Sequence, residues 1–134
     1  MHLVNQYTVT NSNTLANEVT KLKVTPNHTP LTMDIKDLYV NIPISETINI
    51  TKTHLLKNND IHTTNQIITL LEIILKQNYF SFQGQIYQPD KGVAMGSPIS
   101  GTMVEIFLQH LENTHVKHLI ESNIVSYTRY STTS

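Results

Sequence analysis

Asp34 stands in the run Leu31-Thr32-Met33-Asp34-Ile35-Lys36, whose apolar and polar residues alternate. That period of two predicts a half-buried strand with the carboxylate on its polar face. A carboxylate so held is a hard oxygen ligand of the kind a divalent cation takes, although a single one is ordinarily a solvated side chain. Asp37 follows three residues later and, alone, reads as a turn or surface carboxylate. Further on, Gly92-Val93-Ala94-Met95-Gly96-Ser97-Pro98 forms a loop that ends in Ser and then Pro. This is the order wanted at a helix N-cap and first helical position. Lys91, just before the loop, is a cation of the right sign for phosphate, but a lone exposed lysine is usually solvated. His110, His115 and His118 crowd one stretch, and the last two share a face at i,i+3. With no HExxH pattern they read as polar helix surface, not as a zinc site.

Elements of several kinds must position these residues. Leu15, Val19 and Leu22 at helical spacing predict a helix over 13–23, which Pro26 to Pro30 would end. After Pro43, Ser45 is the expected N-cap of a helix from about Glu46 to Lys57. The run 64–77 is apolar around most of its circumference and predicts a largely buried helix. Phe80-Ser81-Phe82-Gln83-Gly84-Gln85-Ile86-Tyr87 reads as a hairpin about a glycine turn. Ile99, Met103, Phe107 and Leu111 recur every four residues and predict a long helix from Pro98 towards Ser122. A strand over 124–130 closes the pattern.

The chain has 134 residues, enough for a single compact domain, and shows no internal repeat or low-complexity linker. Nine Lys and Arg against ten Asp and Glu leave a formal charge of −1, which disfavours a stand-alone nucleic-acid binder. Charged residues make up only 14%, so the surface is polar but weakly charged. The absence of cysteine excludes disulfides, thiol nucleophiles and cysteine-bound metal. No leader pattern or spanning apolar run is visible, so the expectation is an intracellular chain, nuclear or cytoplasmic, with no membrane partner.

Taken together, Asp34-Ile35-Lys36-Asp37-Leu38-Tyr39-Val40-Asn41-Ile42-Pro43 followed by Gly92-Val93-Ala94-Met95-Gly96-Ser97-Pro98-Ile99-Ser100 resembles motifs A and B of reverse transcriptases, in the right order. The resemblance is to the enzymes of Penelope-like retroelements, and it extends to the hairpin that leads into motif B. It implies motif A near 31–43, motif B near 92–111 and the strand of motif C at 124–130. It also implies an α+β fold, part of a reverse-transcriptase palm with helices on one face of a small antiparallel sheet holding Asp34 and the 124–130 strand. The family's reaction is RNA-templated DNA synthesis through two magnesium ions, with RNA template, DNA primer and deoxynucleotide as partners. By that resemblance Asp34 and the Ile35 carbonyl are Mg²⁺ ligands. Asp37, Leu38 and Tyr39 line the triphosphate and sugar, with the Tyr39 ring excluding a 2′-hydroxyl. Gly96, Ser97 and Pro98 face template and nascent base pair.

One departure is large. Where the family carries Tyr-x-Arg-Tyr followed by Val-Asp-Asp, this chain has Tyr127-Thr128-Arg129-Tyr130 and then Ser131-Thr132-Thr133-Ser134. Hydroxyls do not replace the acidic pair, and losing ~4 kcal/mol of transition-state stabilisation slows chemistry about a thousandfold. Little or no polymerase activity is therefore expected of this chain. One nucleotide deleted from suitable codons for Val-Asp-Asp-Ile yields Ser-Thr-Thr-Ser, and a misplaced splice junction gives the same tail. Fingers, thumb and any endonuclease are expected to be incomplete or missing. The rival reading is a non-catalytic remnant serving as a nucleic-acid or protein interaction module. A helical module with accidental motif matches ranks last.

Overall fold

The computed structural model describes residues 5–131. Among them the chain is mostly helical, with five helices and two small two-stranded sheets, and so is α+β only in a loose sense. It divides into two compact units, 1–34 with 109–134, and 35–108.

The unit 35–108 is built on helices. Helix α2 spans Leu38–Asn41, α3 Ile44–Leu55 and α4 Ile61–Lys76, and the first turns of α5, Pro98–Glu121, belong here too. Ile42, Ile68, Leu71, Leu75, Val93, Met103, Val104 and Leu108 form its buried cluster. Helix α3 starts one residue before the expected Ser45 cap. The Pro43 carbonyl accepts both the N–H of Thr47, at 3.0 Å, and its hydroxyl, at 2.8 Å. Thr47 and Thr51 can thus be buried in α3 because each hydroxyl is returned to a carbonyl one turn back. Asp60 caps α4, its carboxylate accepting the Thr63 N–H at 2.9 Å and the Thr63 hydroxyl at 2.9 Å.

Helix α4 departs from the expectation of a largely buried helix. Its Thr64, Ile68, Leu71 and Leu75 face is buried, while Leu70 and Ile73 are 59% and 51% exposed. A helix apolar all round buries only as much as it has neighbours to cover it. The expected hairpin is present: β2, Phe80–Phe82, pairs antiparallel with β3, Gln85–Tyr87. Gln83 at φ 50° and Gly84 at φ 77° make the two-residue turn whose twist suits a hairpin. All six strand residues are exposed, and the Phe80 and Tyr87 rings stack across the pair at 5.6 Å.

The other unit contains β1, Thr8–Val9, α1, Ser12–Lys21, the later turns of α5, and β4, Arg129–Tyr130. Asn11 caps α1 by accepting the Asn13 N–H at 2.8 Å. Strands β1 and β4 run parallel, with Thr8 opposite Arg129 and Val9 opposite Tyr130.

The antiparallel sheet expected to hold Asp34 and the 124–130 strand is not formed. Residues 31–35 are irregular, with Leu31 and Met33 81% and 78% exposed, and β4 is only two residues long and pairs with β1. Alternation marks a strand, but a strand exists only where a neighbour takes its N–H and C=O groups. Among the described residues no such neighbour lies beside 31–36.

Candidate functional site

Two segments far apart in sequence meet within the unit 35–108. Asp37 takes the left-handed conformation, φ 52°, one that aspartate tolerates better than most residues, and serves as N-cap of α2. The turn directs Leu38 and Tyr39 inwards, where both are half-buried against the core cluster. The Tyr39 carbonyl is then free to accept the Val93 N–H at 2.8 Å.

Gly92 explains why the second segment can come so close. A Cβ placed on it would lie 2.5 Å from the Val40 Cα, and its φ is +82°. Only glycine accepts both the backbone conformation and the approach. Asn41 ties the junction from the other side: its amide nitrogen donates to the Asp37 carbonyl at 3.0 Å, and its oxygen accepts from Lys91 Nζ at 3.2 Å. Beyond this, Gly96 has φ +94°, and a Cβ placed on it would meet nothing within 4 Å, so the loop there is open. Ser97 is half-buried and Pro98 opens α5, as the Ser-Pro order predicts. One turn into α5, Gly101 leaves a Cβ position 4.0 Å from the Tyr39 hydroxyl.

Asp37, Leu38 and Tyr39 are therefore brought to one junction with the loop that leads into Gly96, Ser97 and Pro98. Asp34 is exposed in the irregular segment and falls in the other unit, and Ile35 is 51% exposed. Magnesium demands a near-octahedral set of oxygens. Among the described residues no three His, Asp or Glu side chains gather in a group that could hold a metal ion. Of the histidines, His118 lies 3.6 Å from Glu121 on exposed helix surface.

Comparison of the chain with protein-family models, with curated proteins and with solved structures gives no match. No helix among the described residues is long and apolar enough to cross a membrane.

The roles of three contributors to the junction were not legible from residue type. Gly92 precedes a valine in what reads as an ordinary loop, and its constraint comes from the Val40 backbone. Asn41 had no assigned role, and Lys91, exposed as expected of a solvated lysine, also donates from its ammonium to Asn41. The signal available was spacing alone: Asn41 lies four residues after Asp37, the distance at which a side chain on one helical turn reaches back. The other buried polar centre, Glu112, has its neighbours in the unit that includes 109–134. There Oε1 accepts from Arg129 Nε at 2.5 Å and from the Tyr127 hydroxyl at 3.2 Å.

Proposed function

We propose that this chain is a reverse-transcriptase-like domain fragment of a retroelement, a partial palm that keeps the scaffold of a nucleotide site without a complete catalytic set. The observation that carries the reading is the junction of the two motif-like segments through Tyr39, Gly92 and Val93. Segments joined in this way could present Asp37 to Tyr39 and Gly96 to Pro98 to one ligand. The ligand class is a nucleotide on an RNA template and DNA primer, in the nucleus or cytoplasm.

In an intact enzyme of this class Asp34 and the Ile35 carbonyl would be turned to Mg²⁺, and the ion would supply charge stabilisation to nucleotidyl transfer. This chain offers the ion a single aspartate there, so no catalytic step is assigned to it. That same deficit favours the second reading, a non-catalytic module that binds nucleic acid through this surface.

The test is binding of a fluorescent RNA–DNA duplex by anisotropy, beside Mg²⁺-dependent primer extension by the chain and its Asp34→Asn form. Weak, salt-sensitive duplex binding with no extension is expected, because net charge −1 gives a small electrostatic contribution. Extension lost in Asp34→Asn would establish a working polymerase instead. Absence of duplex binding at low salt would overturn both the fragment and the nucleic-acid readings.

A further inference from the structure

Glu112 is the most deeply buried ionisable side chain among the described pairs, with 1% of its side chain exposed against 11% for its partner Arg129. Both of its oxygens accept hydrogen bonds. Oε1 accepts from Arg129 Nε at 2.5 Å and the Tyr127 hydroxyl at 3.2 Å, and Oε2 accepts from the Asn5 side-chain amide. Arg129 reaches further, its Nη2 donating to Thr8 Oγ1 at 3.0 Å. One carboxylate on α5 thus gathers two separate stretches of chain, 5–8 and 127–129.

Those stretches pair as β1 and β4 over two residues each. Their backbone bonds, Arg129 N–H to the Tyr7 carbonyl at 2.8 Å and Ser131 N–H to the Val9 carbonyl at 2.9 Å, are of a kind that a shifted alignment supplies equally well. Two residues are too few for an apolar alternation to choose among alignments. The charge pair can choose. A slip of one residue turns Arg129 to the opposite face, and a slip of two sets Tyr127 or Ser131 in its place. Each leaves the Glu112 carboxylate buried without its cation.

We propose that Glu112 and Arg129 form a register pin, selecting one alignment of 127–131 on 7–9. A buried ion pair adds little net stability over an apolar pair of like volume, and selecting register is the best-attested use of such a pair.

The chain has no cysteine, so an introduced pair is its only thiol pair. Val9→Cys with Tyr130→Cys reports the observed alignment, Val9→Cys with Ser131→Cys a slip of one, and Val9→Cys with Thr128→Cys a slip of two. In the otherwise unaltered chain, oxidation should join the first pair and leave the others largely reduced. In Glu112→Met/Arg129→Met, which strands no charge, far-UV circular dichroism should be unchanged. The ratio of observed to slipped cross-links should fall by about tenfold or more. Arg129→Lys, which keeps the charge and loses the fork, should give an intermediate ratio. An unchanged ratio in the double variant overturns the pin. An unfolded double variant also overturns it, because the pair would then supply stability and not selection. Neither readout involves duplex binding or extension, so failure here is distinct from failure of the proposed function.

Discussion

Val93 donates its backbone N–H to the Tyr39 carbonyl at 2.8 Å, joining the turn after Asp37 to the loop before α5. Neither group is chemically special. Their meeting depends on Gly92, whose absent side chain leaves room for the Val40 backbone.

Gly92→Ala should therefore be strongly destabilising. Left-handed backbone costs an ordinary residue about 1–2 kcal/mol, and the overlap with Val40 adds to that because backbone cannot swing aside. Urea denaturation should show a fall in midpoint well beyond that of Gly96→Ala, which meets the conformational cost but no atom. Gly101→Ala should go the other way by up to about 1 kcal/mol, since the added methyl meets only the Tyr39 hydroxyl at 4.0 Å and alanine is the better helix former one turn into α5.

Thr64 and Ser100 bury their hydroxyls with no hydrogen-bond partner among the described residues. A buried hydroxyl left unpaired costs about 1–3 kcal/mol, so an apolar replacement of like shape has little to lose. Thr64→Val and Ser100→Ala should be neutral or stabilising by thermal unfolding. A loss above about 1 kcal/mol in either would show that its hydroxyl has a partner.

Breaking the ion pair should be far worse than removing it. Arg129→Met leaves Glu112 buried without its cation and should cost about 3–5 kcal/mol, while Glu112→Met/Arg129→Met should cost much less. Chemical denaturation of the two single variants and the double closes the cycle, and a large negative coupling is expected. Purely additive losses would mean that the pair does not act as a unit.

Burial pushes the Tyr127 phenol above its ordinary value; the Glu112 charge and the hydrogen bond to it add to the rise, and Arg129 opposes it. The folded chain therefore holds this proton more tightly than the unfolded chain. The stability so contributed is fully present below the ordinary phenol pKa of about 10 and is lost as pH rises through the folded value. Tyr127→Phe should flatten the decline in melting temperature above about pH 10.

Asp60 titrates below the ordinary aspartate value, chiefly through the Thr63 backbone N–H it accepts and then through the Thr63 hydroxyl. Its contribution is present above the ordinary value and lost as pH falls through the folded one. Asp60→Ala should lower the melting temperature at pH 7 and leave it nearly unchanged at pH 2.

The helices and the hairpin were legible because their signals are local. A four-residue apolar recurrence, a Ser-Pro start and Gln83-Gly84 at a turn each act through neighbours in sequence. Residues 31–36 show the limit: their alternation states which face would be buried, but whether a strand forms depends on a partner strand elsewhere. Helix α4 shows it again, because apolar content says nothing of how many neighbours are present to cover it.

Of the candidate site, the sequence by itself determined the residue types, their order and the expected caps, together with the absence of thiols and of a strong charge. Only the tertiary structure decided that Gly92 must be glycine, that Lys91 reaches Asn41, and that Glu112 is buried against Arg129 rather than solvated on a polar helix face. The physical reason is range. Caps, turns and periodicity are set within a few residues, whereas close backbone approach and burial of charge are properties of segments that meet only after the chain has folded.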